Sequence, residues 1–173
     1  MALLLQNLPT SIGNLTGLAF FSGRDYKNLL SLPSTFSNMK SLKHVDFSGC
    51  SKLLKNLRTI KSVREHDVSG TSIQPMPSFY SLIQILKKLT FIGFKLFPFY
   101  SMLRSRDPLG FFSTSLMTLN LSCCNLREIP NDISHLFSLD VLNLSGNSFV
   151  CLLDGINQLS NLKWMELANC MSL

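Results

Sequence analysis

The sequence has few charged residues, a single tryptophan and an odd number of cysteines. Charged residues make up 15% of the 173 residues, and the mean hydropathy is +0.23. Both values are unusual for a free-standing soluble domain. The five cysteines show no pairing of the kind that closes extracellular domains. We therefore expect a reducing, cytoplasmic location and no disulfide framework.

The sequence also lacks a membrane segment and a secretory signal. Its most apolar stretch, residues 89–103, is too short for a bilayer and is interrupted by Lys95 and Pro98. At the start of the chain, the apolar run covers only Ala2 to Leu5 and has no positive residue before it. Neither a membrane span nor a signal peptide is predicted.

Motifs for catalysis and cofactor binding are absent as well. The chain has no P-loop pattern. Its histidines, His44, His66 and His135, fall in different parts of the sequence without a plausible nucleophile and an orienting acid. Cys123 and Cys124 adjoin each other but have no further metal ligands nearby. The sequence therefore predicts no enzymatic activity, no cofactor and no metal.

Basic residues outnumber acidic residues by 16 to 10, which gives a net charge of +6. Most are scattered, and the loose group Lys87, Lys88, Lys95, Arg104 and Arg106 is not accompanied by a nucleic-acid-binding motif. A solvated, mildly basic surface is the favoured interpretation, and no nucleic-acid partner is expected.

A repeated pattern of apolar residues fills most of the chain. In the segment SLDVLNLSGN, leucines at positions 139, 142 and 144 are followed by Asn147. Equivalent patterns, from the most complete to the weakest, begin at Leu116, Leu42, Leu162, Val63, Leu86 and Leu18. Successive patterns start 21 to 24 residues apart, except for a step of 30 residues between positions 86 and 116. A period in the low twenties with this spacing is the signature of a leucine-rich repeat.

The pattern predicts an α/β leucine-rich-repeat solenoid, shaped like a horseshoe. Each repeat should contribute one strand of three or four residues to a parallel sheet on the concave face. Short irregular or 3₁₀ returns should lie on the convex face, because proline ends each strand-like segment there. The strands are predicted at about 44–47, 65–68, 88–91, 118–121, 141–144 and 164–167.

The ninth position of each repeat is counted from its first leucine. A polar or small residue there should hydrogen-bond to backbone groups inside the stack. Asn147 is predicted to be such an internal tie rather than a ligand group, and Cys50, Cys124 and Cys170 are buried structural thiols. His66 stands at an inward strand position. We interpret it as a hydrogen-bonded core histidine rather than as a functional residue.

In the returns, Ser34 or Asn131 is predicted to cap a single helical turn. Ile133 and Leu136 should pack inward at helical spacing.

The whole chain, residues 1–173, is predicted to be one array of about seven units that is incomplete at both ends. It would be a piece of a longer solenoid or a truncated gene model. Residues 95–115 are predicted to leave the stack as an irregular insertion.

The order of the repeats resembles one family. SLKHVDFSGCSKL followed by VSGTSIQPMP, and then LMTLNLSCCNLREIPNDISHLFSLDVLNLSGNSF, is similar to the leucine-rich-repeat region of plant intracellular immune receptors of the TIR–nucleotide-binding type. The resemblance covers roughly residues 8–173. It departs from the family at Phe94, where cysteine is common, and at Met76, where leucine is common. It implies a role in plant defence, with switch and signalling domains that this chain does not contain.

The predicted function is protein recognition through the concave face. The partner would be a pathogen effector, a guarded host protein or another domain of the same receptor. Aromatic and basic anchors dominate binding energy in such interfaces. The predicted contact residues lie between the inward leucines and are Lys43, His44, Asp46, Arg64, Glu65, Asp67, Lys87, Lys88, Asn120, Asp140, Asn143, Lys163, Trp164 and Glu166.

Two other classes of protein share parts of this pattern. The ectodomain of an extracellular leucine-rich-repeat receptor would also contain LNLSGNSF, although it would need a signal peptide and paired cap cysteines. A scaffold that holds a neighbouring domain of its own receptor closed, without binding a pathogen protein, is also compatible with the repeats, as is a stand-alone scaffold. A P-loop in the upstream gene sequence would favour the immune receptor.

Overall fold

The structure, a computed structural model, describes residues 6–53, 62–71, 86–93, 115–129, 131–149 and 154–170. Within these residues, seven strands form one parallel sheet in chain order. Each strand has three residues, and the strands are β1 Phe20–Ser22, β2 His44–Asp46, β3 Glu65–Asp67, β4 Lys88–Thr90, β5 Thr118–Asn120, β6 Val141–Asn143 and β7 Trp164–Glu166. The predicted solenoid is confirmed. The six predicted strands begin where expected and end one residue earlier, and the weakest repeat supplies β1.

The central residue of each strand points into the stack, as the alternation of a strand requires. From β2 to β6 these residues are Val45, His66, Leu89, Leu119 and Leu142, and each is at most 3% exposed. The strand register places them side by side in one inward row. The core is therefore continuous from repeat to repeat. A single repeat cannot bury its own apolar side chains, so neighbouring repeats stabilise one another by stacking.

The described returns are 3₁₀ helices, as predicted. They comprise Thr10–Asn14, Ser34–Asn38, Asn131–His135 and Asp154–Gln158. Ile133 and Leu136 are buried, which confirms their inward packing.

The capping prediction for Ser34 is wrong. Pro33 is the N-cap, and no side chain caps the helix. Ser34 instead offers its carbonyl to the hydroxyl of Ser37 at 2.8 Å. The proline ring fixes its own φ, and this already sets the direction in which the chain enters the helix. The side chain of Asn131 lies outside the described residues, and so does the predicted insertion 95–115 apart from Ser115. The extent of the array over residues 1–173 remains a prediction.

The ninth-position ties at Asn147, Cys50 and Cys124 are confirmed. Asn147 is 1% exposed and bonds three backbone groups. Cys50 and Cys124 are buried, and their thiols donate to the carbonyls of Gly23 and Phe91 in the preceding repeats at 2.9 and 2.8 Å. Burial raises the pKa of the Cys50 thiol to about 11. The thiol therefore keeps its proton and remains a donor at neutral pH.

The prediction of a buried thiol at Cys170 is wrong, because this residue lies in the last described repeat and is only partly buried, although its thiol is 3.5 Å from the Leu144 carbonyl of the preceding repeat.

Each strand is followed by a turn whose third residue adopts a positive φ. The residues at this position are Asp25, Gly49, Gly70, Gly93, Cys123, Gly146 and Asn169, with φ between 56° and 76°. Glycine, asparagine and aspartate tolerate this left-handed conformation best. The turn lets the chain leave the sheet after only three residues.

Gly146→Ala should lower the free energy of unfolding by about 1–2 kcal/mol, because alanine is strained in the left-handed region. Gly146 has a φ of 68°, and an added Cβ would lie 2.8 Å from the sulfur of Cys123. Gly17→Ala is the matched control, because nothing lies within 4 Å of a Cβ at that site. Urea unfolding of both variants provides the measurement. Equal losses in the two variants would contradict the prediction.

Candidate protein-interaction face

The predicted contact residues occupy one side of the sheet. We define the outer face as the first and third residues of each strand together with the residue before it. All fourteen predicted residues stand at these positions. The hydrogen-bonded register aligns them in rows that cross the strands. The structure thus brings these residues together on the strand side of the solenoid, and their role in binding stays a prediction.

Four of these residues have a structural role that the sequence analysis missed. The side-chain Oδ1 atoms of Asp46, Asp67, Asn120 and Asn143 each accept a hydrogen bond of 2.9 Å from the backbone N–H two residues later. Each bond closes an Asx turn at the end of a strand. The signal was present in the sequence, because a serine follows each of these residues at the second position.

The first half of the outer face carries an ion pair and a contact between a histidine and a carboxylate. The guanidinium of Arg24 contacts Asp46 Oδ2 at 3.0 Å, and His44 Nδ1 lies 3.1 Å from Glu65 Oε2. Burial opposes ionisation of Asp46, but hydrogen bonds from Ser48 and the charge of Arg24 outweigh it and hold the pKa of this carboxyl below its usual value. Asp46 therefore stays negative at neutral pH.

A cavity of about 290 Å³ opens on the outer face above β1 to β4. Its lining comprises predicted contact residues, the residues Val45, His66 and Thr90, and two residues that the sequence analysis did not include, Phe20 and Arg24. Both belong to the weakest repeat, whose strand was not predicted.

The second half of the face contains a Lys163–Asp140 pair at 3.3 Å and a hydrogen bond of 2.8 Å from Asn143 to Glu166.

Exposed aromatic residues lie at both ends of the described sheet. Phe20 on β1 is 57% exposed, and Trp164 on β7 is 63% exposed. Large exposed aromatic side chains on a surface of mixed charge are typical of protein interfaces. The outer face has the surface chemistry expected of a recognition surface.

His66 lies beneath this face, where it lines the bottom of the cavity. It is 2% exposed, and its ring lies 5.9 Å from that of Phe47 inside the core. In the described part of the chain, neither ring nitrogen has a hydrogen-bond partner. The prediction of a core histidine is confirmed, but the prediction of a hydrogen bond is wrong.

Over the described ranges, no group of three or more histidine, cysteine or acidic side chains has an arrangement suited to a metal ion. None of the helices found in these ranges has the length and hydropathy needed to cross a membrane.

The fold defines the chain as a leucine-rich-repeat solenoid. Toll in the Drosophila Toll–Spatzle complex has the same fold, with a TM-score of 0.72 and 20% identity over 96% of this chain and 22% of Toll. An internalin of Listeria monocytogenes, InlF, matches with a TM-score of 0.59 and 16% identity over 94% of this chain and 51% of InlF. These similarities show the fold alone.

Sequence comparison confirms the resemblance to plant disease resistance proteins. The disease resistance-like protein DSC1 of Arabidopsis thaliana is 34% identical over 172 residues, which cover 98% of this chain and 14% of DSC1. The TMV resistance protein N of Nicotiana glutinosa is 35% identical over 98% of this chain and 15% of that protein. The chain thus spans about one seventh of the length of these relatives. No protein-family model matches the chain.

Proposed function

We propose that this chain is the part of an intracellular plant immune receptor that recognises a protein through its outer face. The observation that carries the proposal is the outer face itself, where charged and aromatic side chains stand on a rigid sheet. The similarity to disease resistance proteins over 98% of the chain supports the role in defence. The partner class comprises a pathogen effector, a guarded host protein or another domain of the same receptor.

The proposed role is binding and not catalysis. Several side chains of the outer face pair with one another or complete turns, as in Arg24–Asp46 and Lys163–Asp140. The buried thiols of Cys50 and Cys124 serve as backbone donors. Free cysteines suit the reducing cytoplasm, which is where we place the chain. Any nucleotide hydrolysis would belong to other domains of the receptor.

Trp164 is the proposed anchor of the interface. It offers the largest exposed aromatic surface on the sheet, and it lies beside the Lys163–Asp140 pair. Trp164→Ala should weaken binding to the partner by about 2 kcal/mol, because buried tryptophans are frequent hot spots. The fold should change little, since the side chain is outside the core.

The test begins with proximity labelling by the full-length receptor in plant tissue, followed by calorimetric titration of the purified partner. Phe137→Ala is the matched control, because Phe137 is also exposed but lies in a turn away from the outer face. Leu142→Ala removes a fully buried side chain, so it serves as the control for binding that is lost only because the protein unfolds. Normal binding by Trp164→Ala, or a loss explained by low protein abundance, would reject the anchor.

A further inference from the structure

A tryptophan and a glutamate lie next to each other on the outer face of β7. Trp164 and Glu166 are the first and third residues of this strand, so both project from the same side of the sheet. Residues two apart in a strand are separated by about 6.6 Å. The indole is 63% exposed, and Glu166 is partly exposed. No other strand in the described ranges combines phenylalanine, tyrosine or tryptophan with a carboxylate on this face.

The neighbouring strand β6 holds the carboxylate of Glu166 in place. Asn143 lies in register with Glu166, and its Nδ2 group donates to Glu166 Oε2 at 2.8 Å. The Oδ1 atom of the same amide accepts from the Ser145 N–H at 2.9 Å, so the amide is fixed at both ends. Its bond to Glu166 comes from a neutral donor and leaves the negative charge uncompensated. In the described part of the chain, no cation lies within ion-pair distance of Glu166.

Glu166 departs from the pattern of the repeat. At the same position, four other strands carry a residue whose side chain closes the following turn, namely Asp46, Asp67, Asn120 and Asn143. Among the described residues, Glu166 closes no such turn, and its carboxylate turns sideways towards β6 instead. A residue that forgoes a local stabilising bond is expected at a functional site.

The cation next to Trp164 in the sequence is already neutralised. Lys163 pairs with Asp140 at 3.3 Å, before the first residues of β6 and β7. Glu166 lies three residues further along the strand, about 10 Å from Lys163. The lysine therefore neither compensates Glu166 nor occupies the surface beside it. The uncompensated charge next to the indole is negative.

We propose that Trp164 and Glu166 together bind an arginine side chain of the protein partner, an inference that rests on the function proposed above. The guanidinium stacks on the indole, which is the aromatic ring that attracts cations most strongly. Its N–H groups donate to the Glu166 carboxylate further along the strand. Val141, in register with Trp164 on β6, supports the methylene stem of the arginine. Lysine fits less well, because an ammonium is a compact charge that does not stack and donate sideways at once.

The experiment is an NMR titration of the isotope-labelled 173-residue chain with acetyl-arginine amide, acetyl-lysine amide and acetyl-citrulline amide. Trp164 is the only tryptophan, so its indole N–H signal reports on this site alone. Citrulline has nearly the shape of arginine but no charge. The apparent affinity should be at least about threefold higher for arginine than for citrulline, and it should also exceed that for lysine.

Two variants test the two halves of the site. Glu166→Gln keeps an oxygen for the bond from Asn143 and should lower the apparent affinity for arginine about threefold. Trp164→Leu should lower it by a similar factor, which the backbone amide signal of Glu166 measures. Asp25→Asn is the matched control, because it removes a carboxylate from an exposed turn after β1 and asparagine tolerates its φ of 62°. This control should bind arginine like the wild type.

Equal affinity for arginine and citrulline, equal affinity for arginine and lysine, or equal binding by Glu166→Gln and Asp25→Asn would each overturn the proposal. The backbone amide spectrum of each variant shows whether it is folded, so a loss through unfolding is recognised. If arginine leaves the indole signal unchanged while Trp164→Ala still weakens binding of the protein partner, the proposed function stands and the arginine site is rejected. If arginine binds but Trp164→Ala leaves binding of the partner unchanged, the proposed anchor is rejected instead.

Discussion

Asn147→Ala should lower the free energy of unfolding by about 3–6 kcal/mol. The Oδ1 atom of Asn147 accepts a hydrogen bond from the Leu126 N–H at 3.0 Å. Its Nδ2 group donates to the carbonyls of Leu121 at 2.9 Å and Leu144 at 2.6 Å. Alanine leaves one donor and two acceptors buried without these bonds. Each unsatisfied buried group costs about 1–3 kcal/mol.

The side chain ties two repeats together. Leu121 and Leu126 belong to the repeat before Asn147, and Leu144 belongs to its own. Loss of the tie should therefore separate neighbouring repeats rather than disturb one loop. Urea unfolding followed by tryptophan fluorescence measures the effect, since Trp164 lies on the next strand, β7.

Asn147→Cys is the matched control, because other repeats place cysteine at this position. Cys124 donates to the Phe91 carbonyl across one repeat at 2.8 Å, which is the bond that Asn147 makes to Leu121. A thiol can restore that bond but cannot accept from the Leu126 N–H equally well. The cysteine variant should recover part of the loss. If it is no more stable than the alanine variant, the tie depends on something other than the bond across repeats.

The strand positions followed from the sequence because the inward and outward alternation of a strand is local. The spacing of Leu139, Leu142 and Leu144 places one strand, and its recurrence in the other repeats identifies the pattern. β1 was missed because its repeat has Gly23 at an inward position. Its strand is nevertheless formed, since Gly23 N–H donates to the Asp46 carbonyl of β2 at 2.8 Å. This bond joins two repeats, and the sequence of one repeat alone does not reveal it.

The candidate site was predicted less completely, for a related reason. Alternation placed Asp46 and Asn143 on the outer face, but it did not reveal that their side chains close turns. The partner of Asp46 is Arg24, which lies in the turn after the missed strand. The ring of His66 packs against that of Phe47 in the preceding repeat, a contact that the pattern of one repeat does not show. Contacts between repeats are thus the information that pattern analysis lacks.

Acidification from pH 6.5 to pH 4 should remove about 3 kcal/mol of stability through His66 alone. Burial lowers the pKa of His66 from 6.5 to about 4 in the folded chain, even though the backbone at Asp67 and the charge of Asp46 oppose the shift. The unfolded chain therefore binds the proton more readily. The contribution of neutral His66 is complete above pH 6.5 and is lost progressively as the pH falls towards 4.

The range between pH 5 and 6.5 separates this effect from the carboxylates, which titrate mostly below it. Urea unfolding at several pH values should give a slope of about 1.4 kcal/mol per pH unit in the lower part of that range. His66→Leu is the matched variant, because Leu89 and Leu119 occupy the same inward row. Its stability should depend much less on pH over this range. All other titratable groups are the same in both proteins, so they cancel in the comparison. If the free energies of unfolding of the wild type and His66→Leu depend on pH in the same way, the protonated imidazole has a hydrogen-bond acceptor in the folded chain. The acid sensitivity of the fold then arises elsewhere.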